Sequence, residues 1–326
     1  MGQAASQGSF AYDFQQPVKK LDDQIADIQA KIEAGEADLE GELENLVKQR
    51  DRLLHEIVSG LTPYQRVKLA RHPARPQTRD YIPEVFDDFV ELHGDRCYGD
   101  DKAIVTGFAR LDEHKVMLVG QQKGRETEEK IKSNFGMPQP EGYRKALCKI
   151  KLAEKYNLPV VSMIDTPGAA PALEAEERGQ GMAIARNIFE MAGLRTPIII
   201  IITGEGCSGG ALGIGIGDRH AMLENAYYSV ISPEGCAAIL FHDSKQAEEA
   251  ARALRITAKD MLEFGVIDEI IEEPLGGAQR DPVQTAFNIR SYLSKTLDEL
   301  KGADIDQLLE ARYERYRSFG DFVEVD

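Results

Sequence analysis

Apolar residues recur at intervals of three and four along the first part of the chain. Leu21, Ile25, Ile28 and Ile32 follow this rhythm, and Leu39, Leu43, Leu46, Leu53 and Ile57 resume it after Ala34-Gly35. Such spacing puts one apolar stripe on each of two helices. The pattern predicts helix over residues 17–61, folded as a hairpin at the Ala34-Gly35 break. The stripe is expected to pack, either on the rest of this chain or on a partner subunit. Thr62-Pro63-Tyr64-Gln65 then opens a further helix. Thr62 can cap, Pro63 suits the first helical position, and Gln65 completes a capping box. Arg71-His72-Pro73-Ala74-Arg75-Pro76 breaks the helix and reads as an extended arm.

From about residue 102 the period changes. Residues 103–111 and 115–121 alternate or run apolar, as paired strands do. Residues 159–164 and 197–203 are short β-branched runs, expected of strands buried on both faces. Residues 227–231 are a fifth candidate. Helical patterns lie between and after them, at 142–156, 180–194, 246–254 and 258–263. Strands alternating with helices predict an α/β domain over residues 62–326, preceded by a helical region over 1–61.

Composition narrows the function. The formal net charge is -16, which argues against non-specific nucleic-acid binding, because that rests on cations neutralising phosphates. The apolar run at 197–203 is far too short to span a bilayer. Four cysteines, Cys97, Cys148, Cys207 and Cys236, form no C-x-x-C pair, so no zinc site is expected in this chain. Reduced thiols and a cytoplasmic location are expected. Met1-Gly2-Gln3-Ala4-Ala5-Ser6 fits the myristoylation pattern. That pattern is short, and a frayed polar terminus is the expectation.

The chemistry concentrates in two loops. The strand at 197–203 runs into Thr203-Gly204-Glu205-Gly206-Cys207-Ser208-Gly209-Gly210-Ala211. Adjacent glycines let a backbone approach a ligand closely, and their N–H groups can converge on one oxygen, as an oxyanion hole requires. A tight strand-to-helix crossing would also select glycine there. The strand at 159–164 runs into Asp165-Thr166-Pro167-Gly168-Ala169. Loops at corresponding strand ends can meet at one sheet edge and offer amides of Gly168 or Ala169 beside those of Gly209 or Gly210.

Two lookalikes fail. Gly206-Cys207-Ser208-Gly209-Gly210 fits the G-x-S-x-G nucleophile elbow, but only His220 and His242 follow it, both early. Asp165-Thr166-Pro167-Gly168 resembles a GTPase magnesium loop, but the chain has no G-x-x-x-x-G-K-[ST] phosphate cradle.

The motifs resemble the acetyl-CoA carboxylase carboxyltransferase alpha family. They include Gln122-Lys123-Gly124-Arg125-Glu126-Thr127, Asn134-Phe135-Gly136-Met137-Pro138, Asp165-Thr166-Pro167-Gly168-Ala169, Ser208-Gly209-Gly210-Ala211, Ser229-Val230-Ile231-Ser232-Pro233-Glu234-Gly235 and Glu273-Pro274-Leu275-Gly276-Gly277. The resemblance covers nearly the whole chain, with the motifs in order. It implies a crotonase-type spiral of ββα units. It also implies transfer of a carboxyl group from carboxybiotin to acetyl-CoA, giving malonyl-CoA for fatty acid synthesis. The carboxybiotin would arrive on a biotin carboxyl carrier protein, since this chain has no Ala-Met-Lys-Met-type attachment site. A beta subunit would carry the zinc and complete an α2β2 assembly with the site between subunits. Gly209 and Gly210 match the glycine pair that holds the biotin urea oxygen in this family, with Gly168 or Ala169 assisting and Ala211 beside them. No side-chain base is needed.

Lys123 and Arg125 are candidates to face CoA phosphates or the biotin carboxylate, although Glu126, Glu128 and Glu129 share their stretch. The chain departs from the family pattern at Ala170, where Tyr is expected, and at Ala172 and Cys207, where Gly is expected. A branched side chain at Gly210 is expected to occupy ligand space and spare the fold. The competing readings are a stand-alone crotonase-type hydratase or decarboxylase, with Glu234 the candidate carboxylate, and a non-catalytic scaffold.

Overall fold

A computed structural model describes residues 10–35 and 39–320. The myristoylation-like pattern at residues 1–6 lies outside the described residues. Two helices, Gln16–Glu33 and Glu40–Ser59, pair as the hairpin that the stripe predicts. Val18, Ile25, Ile28 and Leu54 are buried, so at least these apolar positions are used within the chain. Arg280 holds Asp22 at 2.8 and 3.0 Å, tying the hairpin to the body.

The helix Pro63–Ala70 begins as expected. Thr62 Oγ1 accepts from the Gln65 amide at 3.2 Å, and Gln65 Oε1 accepts from the Thr62 amide at 2.9 Å. The stretch that reads as an extended arm instead folds into turns, with the Arg75 amide donating to the His72 carbonyl at 2.8 Å. Its cations explain this. Arg75 is buried and forms a two-point pair with Glu273, so the backbone must turn inward to bring it there.

Among the described residues, eight strands form one sheet. They are β1 (Asp87–Glu91), β2 (Ile104–Leu111), β3 (His114–Gln121), β4 (Val160–Thr166), β5 (Ile198–Cys207), β6 (Arg219–Leu223), β7 (Tyr227–Ser229) and β8 (Glu269–Ile271). The order is β1-β2-β3-β4-β5-β6-β8, with β7 paired to the end of β5. β1, β2 and β3 are antiparallel, and the pairings from β3 onward are parallel.

Every residue of β4 and β5 is buried. Five consecutive isoleucines, 198–202, fit a strand covered on both faces. Helices Pro140–Lys155 and Gln180–Ala192 pack together, and Ala183 and Met191 of the second belong to the main core. Helix Pro282–Leu300 contributes Ile289, Leu293 and Leu297 to that core. Helix Ile305–Arg317 is pinned by Arg312, whose guanidinium reaches Asp218 at 2.7 Å and the carbonyls of Met191, Leu194 and Thr196.

The parallel register positions the loops of interest. β4 and β5 run side by side from Val160 opposite Ile198 to Thr166 opposite Gly206. The chain therefore leaves both strands at the same end of the sheet, where α/β proteins place ligands.

Candidate active site

The two loops touch. On Gly210 a Cβ would stand 2.6 Å from the Ala169 nitrogen and 2.7 Å from the Gly168 Cα, closer than real atoms approach. Only glycine permits this crossing. Gly168 has φ +147, outside what side chains favour, with open space around its Cα.

An open cleft of ≈470 Å³ lies over the crossing, lined by residues that include Gly168, Ala169, Ala170, Ser208, Gly209, Val230 and Glu176. Gly210 and Ala211 are buried beneath it. Of the expected site residues, Gly168, Ala169 and Gly209 thus reach the cleft surface. Gly210 supports it from below, and Ala211 lies fully inside. The expectation that a side chain at Gly210 would fill ligand space is therefore corrected: it would strike the neighbouring backbone first.

The amides differ in availability. The Gly168 N–H donates to Thr166 Oγ1 at 3.1 Å, and the Ala170 N–H donates to the Pro138 carbonyl at 3.0 Å. The Ala169 N–H between them has no acceptor among the described residues. Gly209 and Gly210 open the short helix Ser208–Leu212, whose first-turn amides have no intrahelical acceptor, and no side chain caps it. Gly210 is further fixed through its carbonyl, which accepts from Gln121 Nε2 at 2.8 Å and Tyr143 OH at 3.2 Å. Gln121 Oε1 also accepts from the Asp165 amide at 3.0 Å, so one buried side chain braces both loops.

Behind the loops lies a partly buried ionic cluster centred on buried Asp165 and Glu205. Lys123 Nζ is 2.6 Å from both Asp165 Oδ1 and Glu205 Oε2. Arg71 reaches Glu205 and Glu234, each at 2.6 Å, and Tyr227 OH donates to Glu205 at 2.7 Å. Burial alone would raise the Glu205 pKa, but Lys123 and Arg71 outweigh it and hold it at about 2. Burial would likewise depress Lys123, yet Asp165 and Glu205 raise it. Lys123 is thus a largely enclosed cation, its side chain 17% exposed and paired with two buried carboxylates. Arg125 pairs with Asp80 at 2.7 Å on the far side of Gly124.

Glu234, the candidate acid of a hydratase, is held by Arg71 and by Tyr64 OH at 2.9 Å. Burial opposes its ionisation, but Arg71 keeps its pKa low, so it is not a proton donor near neutrality. Ser208 has φ +56, like a nucleophile elbow, but it lacks a histidine partner. His220 is buried 3.2 Å from Tyr316 OH, and His242 is exposed.

The departures from the family pattern fit locally. Cys207 has φ -116 and ψ 129, ordinary extended backbone that tolerates a side chain. Burial pushes its thiol up to about 11. Ala170 is buried, and its carbonyl accepts from Gln180 Nε2 at 3.1 Å.

The acetyl co-enzyme A carboxylase carboxyltransferase-like family model matches residues 11–320. The chain belongs to this family. It is 51% identical over 312 residues to the acetyl-coenzyme A carboxylase carboxyl transferase subunit alpha of Rhodopirellula baltica, covering 96% of this chain and 98% of that one. It is 53% identical over 308 residues to the subunit of that name from Coxiella burnetii strain RSA 331, covering 94% and 98%. The chain is therefore a carboxyltransferase alpha subunit, a transferase component of acetyl-CoA carboxylase.

Solved structures agree on the fold. A transcarboxylase 12S structure with methylmalonyl-coenzyme A and methylmalonic acid bound matches at TM-score 0.58 and 20% identity, covering 71% of this chain. This chain spans 42% of that transcarboxylase chain. A chain of a Pseudomonas malonate decarboxylase hetero-tetramer in complex with coenzyme A matches at TM-score 0.55 and 16% identity, covering 68% of this chain and 89% of that one. The crotonase-type α/β architecture is the shared feature.

Two site features escape sequence reasoning: the Gln121 brace and the Thr166 contacts. Gln121 and Thr166 sit at strand ends, where a polar side chain in an apolar run is the only signal. Glu176, which reads from sequence as a cap or pair near a helix start, stands on the cleft wall.

Proposed function

We propose that the cleft over Ala169 and Gly209 receives the biotin urea of a carboxylated carrier protein. The supporting observation is the crossing of the two loops, which brings the Ala169 amide, with no acceptor among the described residues, beside the first-turn amides of Gly209 and Gly210. Such donors suit an oxygen that gains negative charge. Carboxybiotin would supply the carboxyl group, its urea oxygen gaining charge as the carboxyl carbon leaves nitrogen. The chain's own part is to bind that oxygen through Ala169 and Gly209 and to orient the urea. Gly210 provides the close backbone approach rather than the cleft surface. Beside Gly209 an apolar pocket of ≈370 Å³, lined by residues including Leu212, Tyr228, Val230, Ile256 and Met261, suits the hydrocarbon part of the same group.

Acetyl-CoA would accept the carboxyl group and leave as malonyl-CoA. A beta subunit carrying the zinc would complete the site in an α2β2 assembly in the cytoplasm, with the region over residues 1–61 serving assembly. The exposed side chains of Leu173, Met182 and Val230 suit burial by such a partner.

The test is malonyl-CoA formation from acetyl-CoA and a carboxylated carrier, with and without the beta subunit. Activity is expected only with both subunits and is expected to fall when Gly209 becomes Val. Hydratase or decarboxylase turnover by this chain alone would overturn the reading.

A further inference from the structure

Thr166 ends β4 and is fully buried. Its Oγ1 lies 3.1 Å from the Gly168 nitrogen, 2.7 Å from the Gly168 carbonyl oxygen and 2.6 Å from the Gly136 carbonyl oxygen. The Gly168 amide donates to the hydroxyl oxygen. The hydroxyl has one proton to donate, and both carbonyls lie within its reach. In a trans peptide unit the C=O and N–H point in opposite directions. Holding the Gly168 carbonyl against buried Thr166 therefore turns the N–H of the same unit the other way. That N–H belongs to Ala169, which lines the cleft.

The hydroxyl is itself braced from the far side. Asn134, Phe135 and Gly136 have φ of 45, 56 and 78 in succession. A phenylalanine held there is strained and persists only where its surroundings over-determine it. Those surroundings are visible. Asn134 Nδ2 donates to the Met137 carbonyl at 2.9 Å, the Gly136 amide to Ser133 at 2.9 Å, and Ser133 Oγ to the Lys123 carbonyl at 2.5 Å. The same segment receives the Ala170 amide at Pro138. The loop is thus gripped on each side of Ala169, while the Ala169 amide itself is not.

We propose that Thr166 is a positioning residue, whose hydroxyl sets the tilt of the Gly168-Ala169 peptide and so aims the Ala169 N–H into the cleft. The proposal rests on the reading of Ala169 as an oxyanion donor.

The experiment uses the assembled enzyme with its beta subunit and three variants, Thr166→Val, Thr166→Ser and Ala169→Pro. Valine keeps the shape without the hydroxyl, serine keeps the hydroxyl, and proline removes the Ala169 N–H. The measurements are kcat and KM for acetyl-CoA, calorimetric titration with free biotin, and hydrogen exchange across residues 166–170. Thr166→Val is expected to lower kcat about 10- to 100-fold, less than a whole lost donor, with KM for acetyl-CoA within about twofold. It is also expected to weaken biotin binding and to speed exchange of the Gly168 amide, with Thr166→Ser restoring all three.

If Thr166→Val keeps wild-type kcat and biotin affinity while Ala169→Pro loses both, the positioning role is wrong and the donor reading stands. If Ala169→Pro keeps both, the donor reading falls and this proposal with it. A loss that serine does not restore, with kcat falling in step with melting temperature, also overturns it. Should the valine variant not fold, Thr166→Cys carries the same comparison, since a thiol is a weak donor.

Discussion

A Cβ on Gly210 would stand 2.6 Å from the nitrogen of Ala169, so the two loops that build the cleft are spaced by the absence of one side chain. Gly209, one residue earlier, has only Ile184 side-chain atoms near its Cβ position, at 3.6 and 3.8 Å. The two glycines therefore fail differently when substituted. Gly210→Ala is expected to lose about 1–3 kcal/mol of stability through overpacking, read by urea unfolding. Gly209→Val is expected to fold normally and to lose roughly 100-fold in carboxyl transfer, because its side chain enters the cleft. Equal stability of the two variants would remove the distinction.

The two candidate cations separate in the same way. Lys123 is held between the buried carboxylates Asp165 and Glu205, and its removal strands both. Lys123→Met is expected to cost about 3–5 kcal/mol, as breaking a buried pair does. Arg125 and Asp80 are 30% and 37% exposed, so Arg125→Ala is expected to cost at most about 1 kcal/mol. Unfolding curves of both variants check this. A ligand-facing Lys123 would instead leave stability intact and raise KM.

These differences mark what sequence alone conveys. The β4 and β5 strands were legible because unbroken β-branched runs have few alternatives, and the hairpin because its stripe repeats at helical spacing. β8 has three residues and β1 is an acidic, exposed edge strand, so neither carries a usable period. Helix Thr78–Val85 holds Pro83 past its first turn, where proline ordinarily breaks a helix, so its pattern does not read as one. At the site, the loops and their glycines were visible. Which amide stays unpaired was not, because that depends on Thr166 and Pro138 meeting residues distant in the chain. The pairing of Lys123 was not visible either, because a basic stretch looks the same whether its cations face solvent or buried carboxylates.

The ionic cluster also sets an acid limit. Glu205 moves from an ordinary value of 4.5 to about 2, since Lys123 and Arg71 outweigh its burial. The unfolded chain therefore binds more protons than the folded one between these values, and stability rises with pH there. The contribution is complete above about pH 4.5 and is lost as pH falls toward about 2. Glu205→Gln is expected to be less stable at neutral pH and to show a shallower dependence across that window. Urea midpoints measured from pH 5 downward test this, and an unchanged slope would remove Glu205 from the account.

Ser208 separates amide catalysis from nucleophilic catalysis. It stands exposed at φ +56 at the head of the glycine turn, where a hydrolase would place its nucleophile. A serine nucleophile needs a base within hydrogen-bond reach. His220 is instead buried beside Tyr316, where burial lowers its pKa to about 3, and His242 is an exposed turn residue. Ser208→Ala removes the hydroxyl and leaves the amides of Gly209 and Gly210 where they are. Carboxyl transfer with the beta subunit is therefore expected to stay within about threefold of the wild type, because no transition-state contact is lost. Loss of a true nucleophile would cost orders of magnitude. Paired assays of Ser208→Ala and Gly209→Val decide the matter. If the serine variant is dead and the folded glycine variant is fully active, the amides are not the catalytic donors and the hydroxyl is.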